Sequence, residues 1–271
     1  WRIHHGGGVT GADAQAVADR VAADERLWSR FLPTSDVARV SRGAGTQVPV
    51  AAASVELIAL ARDWSARSEG RFQPLVGAAL ARWGYRDGVG SHAPAVRPAD
   101  ETVPDAAGIE IDEAASTVRI PAGAVLDLGG IAKSWAAMRA GRLLGERCGD
   151  DRLIVDGGGD LAIVRGTIVV ATAAGAVRAA PGTGVATSST ERRAWELGDG
   201  APAHHLIDAR VGAPGPRGTA VVAGVPPVTA DVLASCLVLD PDWIEAIDVP
   251  AAHVALDGAV RTSATWSEVA A

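Results

Sequence analysis

Between residues 152 and 172 the chain reads RLIVDGGGDLAIVRGTIVVAT, short apolar runs cut by glycines. Each run is too short for a helix and rich in β-branched residues, so the stretch reads as strands. Gly157, Gly158 and Gly159 stand where a side chain would obstruct a positive φ or a close backbone approach. The rest of the chain adds further strands and helices in runs, with no regular strand, helix, strand alternation. That pattern predicts an α+β fold with mainly antiparallel sheets and packed helices.

The helical spacing of Ala16, Val17, Val21, Leu27 and Phe31 predicts a helix over 12–31, and a second runs from about Ser54 to Ser68, closed by Gly70. In GIEIDEAASTVRIPAG, apolar and polar residues alternate on either side of a polar break, which predicts a hairpin around 109–120. A helix over 130–147 puts Ile131, Trp135, Met138 and Leu143 near one face and opens on a Gly-rich turn. Strands are expected at 204–207 and 218–224, then a helix from about Thr229 to Leu239 and a closing hairpin with Asp257-Gly258 as its turn. His4 and His5 belong to a disordered or an edge segment. The Pro- and Gly-containing stretch 86–104 is the best internal linker or long loop. At 271 residues the chain is one domain, or two intimately packed subdomains.

Composition limits the function classes. With 48% hydrophobic and 21% charged residues the chain can offset the entropy of ordering and fold. A formal charge of −7 argues against nucleic acid as a partner, which needs a basic stripe to displace condensed counterions. No apolar run approaches the roughly 18 to 20 residues of a membrane span. The chain begins at Trp1, so its start carries no information on export. Cys148 and Cys236 are expected as two unpaired, buried thiols.

Against this background Lys133 stands out. Of 25 Lys and Arg residues it is the only lysine, leaving 25 − 1 = 24 arginines. It sits in VLDLGGIAKS, residues 125–134, where an apolar stretch ends at Asp127, passes two glycines and enters a helix. Unpaired N–H groups at that helix start favour an anion, and an ammonium one turn inside can reach a phosphate oxygen or a ribose hydroxyl. The plainer alternative is a capping Asp127 and a solvated Lys133. DGGGD at 156–160 resembles a phosphate-cradling turn without the spacing of a nucleotide fingerprint. VATSSTERR, at 185–193, offers the hydroxyls of Thr187, Ser188, Ser189 and Thr190 ahead of two guanidinium forks. His204 and His205 are adjacent, so in an extended segment they face opposite sides, and one of them is free to act as a base. Asp231 and Ser235 fall at i and i+4 on one helical face, a hard-oxygen pair suited to Mg²⁺; helix capping by Thr229 and Asp231 is the competing reading.

Taken in order, GRFQPLVG, LDLGGIAKS, VDGGGDL, VATSST, HHLIDARVG and TADVLAS resemble the ApbE family, the FAD:protein FMN transferases, and SRFLPTSDVARV at 29–40 resembles the family's N-terminal segment. The resemblance implies an ApbE-like, T-fold-related α+β architecture. It also implies cleavage of FAD at its pyrophosphate, with FMN placed on a Thr or Ser of an acceptor protein bearing a D-x-x-[ST]-G-A-[ST] segment, Mg²⁺ as the metal and AMP released. Carried over residue by residue, it puts Asp127 and Lys133 on the FAD, and the Gly130 carbonyl, Asp231 and Ser235 on the magnesium. Arg71, Phe72, Gln73 and the segment around Phe31 would line the flavin or adenine pocket, with Ser188 beside it and Leu206 and Ile207 contributing backbone atoms. His205 would activate the acceptor hydroxyl, with Lys133 as the catalytic cation.

Several positions depart from the family pattern. Gln73 stands where the family has Asp, Ser134 where it has Gly, and Ser235 where it has Thr; ATSS and IDARVG replace ATSG and IDPRTG, and the early Met-Gly-Thr signature is not recognisable. These departures leave two further readings, a FAD pyrophosphatase yielding FMN and AMP, and a protein that holds FAD without turnover. The family occurs in bacteria, either cytoplasmic or exported and anchored through a segment that this chain does not contain.

Overall fold

The computed structural model describes residues 1–86, 94, 96–99 and 101–271. Among these lie six α-helices: α1 (Gly11–Trp28), α2 (Asp36–Arg42), α3 (Ala52–Arg67), α4 (Gly77–Arg82), α5 (Ala132–Arg147) and α6 (Pro227–Leu239). The chain divides into two compact units, the first made of Trp1–Asp24, Ile131–Ser189 and Arg217–Ala271 and the second of Glu25–Gly130 and Thr190–Pro216. The fold is α+β with antiparallel sheets, as the runs of strands imply. The long loop expected at 86–104 lies in part outside the described residues.

The first unit is built on a seven-stranded sheet in the spatial order Arg2–His5, Leu153–Asp156, Leu161–Arg165, Gly184–Ser189, Gly218–Val225, Ala251–Ala255 and Val260–Thr262, every neighbouring pair antiparallel. His4 and His5 thus lie in an edge strand. Period-two alternation sorts LIVD onto both faces: Leu153 and Val155 pack with Val17 of α1 and Ala137, Ala140 and Leu144 of α5, whereas Ile154 packs with Val177, Ala179, Val221 and Val269. Because both faces are covered, the strand reads as an unbroken apolar run. Val177 and Ala179 belong to a separate hairpin, Ile168–Thr172 with Gly175–Ala179, whose second strand the sequence reading did not anticipate.

Helix α6 is buried along nearly its whole circumference, including Asp231 and Ser235, and packs on the strands Gly184–Ser189 and Gly218–Val225. It begins at Pro227, two residues before the expected Thr229, since proline is pre-organised for a first helical turn. Both cysteines are buried and neither is in a disulfide.

In the second unit, Val48–Pro49, Thr117–Arg119 and Glu110–Asp112 form a three-stranded sheet containing the expected hairpin, with Glu110 opposite Arg119. The unit also contains α2, α3 and α4, of which only α3 was expected. Ser35 caps α2 by accepting from the Ala38 N–H at 3.1 Å. The buried Asp36 side chain accepts from the Ala51 N–H at 2.9 Å and the Ser54 hydroxyl at 2.7 Å, so a carboxylate of α2 satisfies the start of α3. Helix α1 stops at Trp28, short of the expected residue 31, and Phe31 lies in a turn before Pro33, which disfavours helix at the residue preceding it.

Two further details position side chains. Gly77 N–H donates to Val125 O at 3.1 Å and Asp127 N–H to Pro74 O at 2.7 Å, which zips residues 74–77 along 125–127. An added Cβ at Gly77 would meet Val125 O at 2.8 Å, so this approach needs glycine. The strand expected at 204–207 is instead split between Pro202–His204 and Ile207–Asp208. His204 Nδ1 accepts from the Leu206 N–H at 3.3 Å, a local bond that takes the donor away from a continuous ladder.

Candidate active site

Within the first unit, a cluster forms where the start of α5 meets the middle of α6. Ile131, at the N-cap of α5, offers no side-chain acceptor. Asp231 of α6 faces this helix start, where the N–H and hydroxyl of Ser134 favour its charged form. The Ser134 hydroxyl itself donates to Ile131 O at 3.0 Å. Burial pushes Asp231 up to about 7, and the charge of Asp160 adds to the rise; Lys133 and the Ser134 donors oppose it. Asp231 Oδ2 is buried with no hydrogen-bond partner among the described residues.

Lys133 reaches Asp160, with Nζ 2.5 Å from Oδ2; the ammonium side chain is 35% exposed and the carboxylate only 6%. Asp160 is delivered by the glycine turn. Asp156 Oδ1 accepts from Gly158 N–H at 2.7 Å and Gly159 N–H at 2.8 Å, and Gly157 N–H closes the turn onto Asp160 O at 2.9 Å. Gly158 and Gly159 adopt φ of +96° and +112°, a region that side chains rarely enter. Ser235, one helical turn beyond Asp231, has its hydroxyl 2.8 Å from that of Ser188 on the adjoining strand. Lys133, Ser188, Asp231 and Ser235 therefore belong to one unit, with Asp160 and Ser134 added by the fold.

A hard cation fits this donor set. Among the described residues no three His, Cys, Asp or Glu side chains converge as a metal cluster. What is present is a carboxylate with an open, buried oxygen and a hydroxyl one turn away, suited to a small oxygen-seeking ion that keeps several waters. Gly130 is the last residue of the second unit, immediately before Ile131 in the chain.

The second unit holds the other expected residues. Asp127 Oδ1 accepts from Gly129 N–H at 2.8 Å, and its Oδ2 lies 2.7 Å from Arg30 Nε, both side chains largely buried. The Arg30 guanidinium lies 4.6 Å from the Phe31 ring centroid and 5.0 Å from that of Tyr85, and it donates to Tyr85 O. Tyr85 stands edge-on to Phe31, parallel to Trp195 at 6.1 Å and tilted 6.4 Å from the His205 ring. This wall of flat rings was not foreseen beyond Phe31 and His205. Its signal was scarcity: Tyr85 is the only tyrosine of the chain, and Phe31 is one of two phenylalanines.

The two histidines separate as an extended segment requires. His204 is 2% exposed; with Nδ1 accepting from Leu206, its Nε2 carries the proton toward Gly215 O, 3.0 Å away, so the fold uses both nitrogens. His205 faces the ring wall. Leu206 O accepts from Gly215 N–H, and Ile207 is buried in its hairpin opposite Pro214. Phe72 is buried against Gly130, where an added Cβ would fall 3.3 Å from its ring. Arg71 bonds Ser68 O and Glu69, and Gln73 turns its amide to Ser65 Oγ and to the Leu75 N–H. Gln73 also lines an open cavity of about 750 Å³ together with Ser65, Arg62 and Arg210.

The model of the ApbE family matches residues 2–256. No curated protein sequence matches significantly. The fold is similar to the ApbE protein of Thermotoga maritima (TM-score 0.84, 21% identity, 98% of this chain and 93% of that one) and to the flavinyl transferase ApbE of Pseudomonas stutzeri (0.83, 20%, 99% and 93%). It is also similar to the flavin transferase ApbE of Vibrio cholerae (TM-score 0.77, 19% identity, 98% and 94%). The structural likeness carries the fold and the family match carries the descent: the chain belongs to the ApbE family.

Proposed function

We propose that the chain is a Mg²⁺-dependent FAD:protein FMN transferase, releasing AMP and leaving FMN on a Thr or Ser of an acceptor protein. The observation that carries this reading is the cluster in which Lys133, Asp231, Ser235 and Ser188 meet, with a buried carboxylate oxygen left open. Lys133 is the group that draws charge from the diphosphate as the acceptor oxygen attacks the flavin-side phosphorus. The bond that breaks joins this phosphorus to the bridging oxygen, which departs with AMP and the electron pair. Asp231 and Ser235 would hold Mg²⁺, which when bound neutralises growing charge on the pyrophosphate. His205 would take the acceptor's proton, because His204 spends both ring nitrogens on the fold. Phe31, Tyr85 and Trp195 offer flat surface for ring stacking, in keeping with the family's assignment of the Phe31 segment to flavin or adenine.

The test is incubation with FAD and Mg²⁺, with and without a protein carrying a D-x-x-[ST]-G-A-[ST] segment. Covalent FMN on that protein together with stoichiometric AMP is the expected result. AMP released equally without an acceptor would assign hydrolysis instead, and FAD recovered bound but intact would assign a carrier.

A further inference from the structure

We propose that Asp160 is a positioning residue that holds Lys133 in a matched ion pair, so that a divalent cation becomes a condition of diphosphate binding. The pair is geometric: Lys133 Nζ lies 2.5 Å from Asp160 Oδ2, and the carboxylate is 6% exposed. Its backbone is fixed by the turn that Asp156 caps and that Gly157 closes onto Asp160 O. While the ammonium is matched, the cluster offers an incoming diphosphate no net positive charge, and Asp160 itself repels it. A cation on Asp231 and Ser235 supplies the missing charge and lets Lys133 be shared between Asp160 and the ligand. Two anionic partners of one ammonium are thereby reconciled by one added cation, which couples cation binding to diphosphate binding.

This inference rests on the transferase reading only for the identity of the diphosphate. FAD affinity is measured by flavin fluorescence in EDTA and in Mg²⁺ for the unaltered protein, Asp160→Asn and Asp160→Glu. The unaltered protein is expected to bind about tenfold or more tightly in Mg²⁺. Asp160→Asn should raise the affinity in EDTA by about tenfold without improving it in Mg²⁺, whereas Asp160→Glu, which keeps the charge, should keep the metal requirement. Loss of structure would weaken binding in both conditions, so the opposite signs separate a charge effect from a damaged fold. With Asp160→Asn shown to be folded by circular dichroism, weakened affinity in both conditions or no change in either, or Glu behaving as Asn does, overturns the inference.

A second measurement serves if Asp160→Asn does not fold. Inorganic pyrophosphate and Mg²⁺ are titrated against each other on the unaltered protein by calorimetry, and each must tighten the other by the same factor. A factor near one overturns the inference. Coupled pyrophosphate binding without FAD binding keeps it and removes the transferase reading. FAD binding that ignores Mg²⁺ does the reverse, and a protein that binds neither ligand loses both.

Discussion

Asp231 carries the strongest electrostatic consequence of any single residue. Its ordinary pKa is 3.8 and burial lifts it to about 7, so between these values the folded, cation-free protein holds a proton that the unfolded chain has lost. The folded state then binds more protons, and stability from this group is present at low pH and falls as pH rises. Three pH units correspond to about 4 kcal/mol. Relative to Asp231→Asn, which keeps the size of the side chain and removes its charge, the unaltered protein in EDTA should lose up to about 4 kcal/mol between pH 4 and pH 8. Urea unfolding of both proteins across that range checks it. Asp156 and Asp208, which are held below the usual carboxylate range against the cost of burial by glycine N–H groups and by Arg210 respectively, titrate alike in both and cancel. Parallel curves would mean that residue 231 meets water more freely than its burial indicates.

At the scale of elements, close approach decides more than propensity. Gly77→Ala would push a Cβ into Val125, 2.6 Å from its Cγ1, and shift the segment carrying Asp127, at a cost of about 1–3 kcal/mol. Gly11→Ala, at the start of α1 with nothing within 4 Å, should change stability by less than about 0.5 kcal/mol. Equal denaturant midpoints for the two variants would refute the contrast. The same distinction explains what the sequence made legible. Helices α1, α3 and α5 and the 109–120 hairpin announced themselves through periodicity, because each buries one stripe or face, whereas α6, buried nearly all round, shows as an almost unbroken apolar run. The seven-residue α2 is too short for such a stripe to stand out, and its Asp36, which caps another helix, looks like any surface carboxylate. Lys133, Asp231 and Ser235 were legible through a singular lysine and an i, i+4 spacing. Asp160 was visible only as the end of a glycine turn, and the partnership of Arg30 with Asp127, 97 residues apart in sequence, left no local trace.

For the whole molecule, the chain crosses between its units at 24/25, 130/131, 189/190 and 216/217, so neither unit is a continuous stretch. The first needs residues 1–24 for its edge strand and for Val17 and Val21, which cover Ala137, Ala140, Leu144, Leu153 and Val155. A chain of residues 131–271 therefore exposes that apolar face and leaves the Leu153–Asp156 strand as a bare edge, open to pairing with another copy. It also carries residues 190–216 away from the rest of their unit, including Trp195, whose indole donates to Trp83 O at 2.8 Å, and Gly212, whose carbonyl accepts from the Trp83 indole at 2.9 Å. Exposed apolar area on this scale outweighs a net stability of about 5–15 kcal/mol. The 131–271 chain is accordingly expected to show no cooperative melting transition by calorimetry and to bind a hydrophobic dye, while the 271-residue chain melts cooperatively. A sharp transition for 131–271 alone would mean that its sheet and helices hold together without α1, and the dependence of the first unit on its N-terminal segment would have to be abandoned.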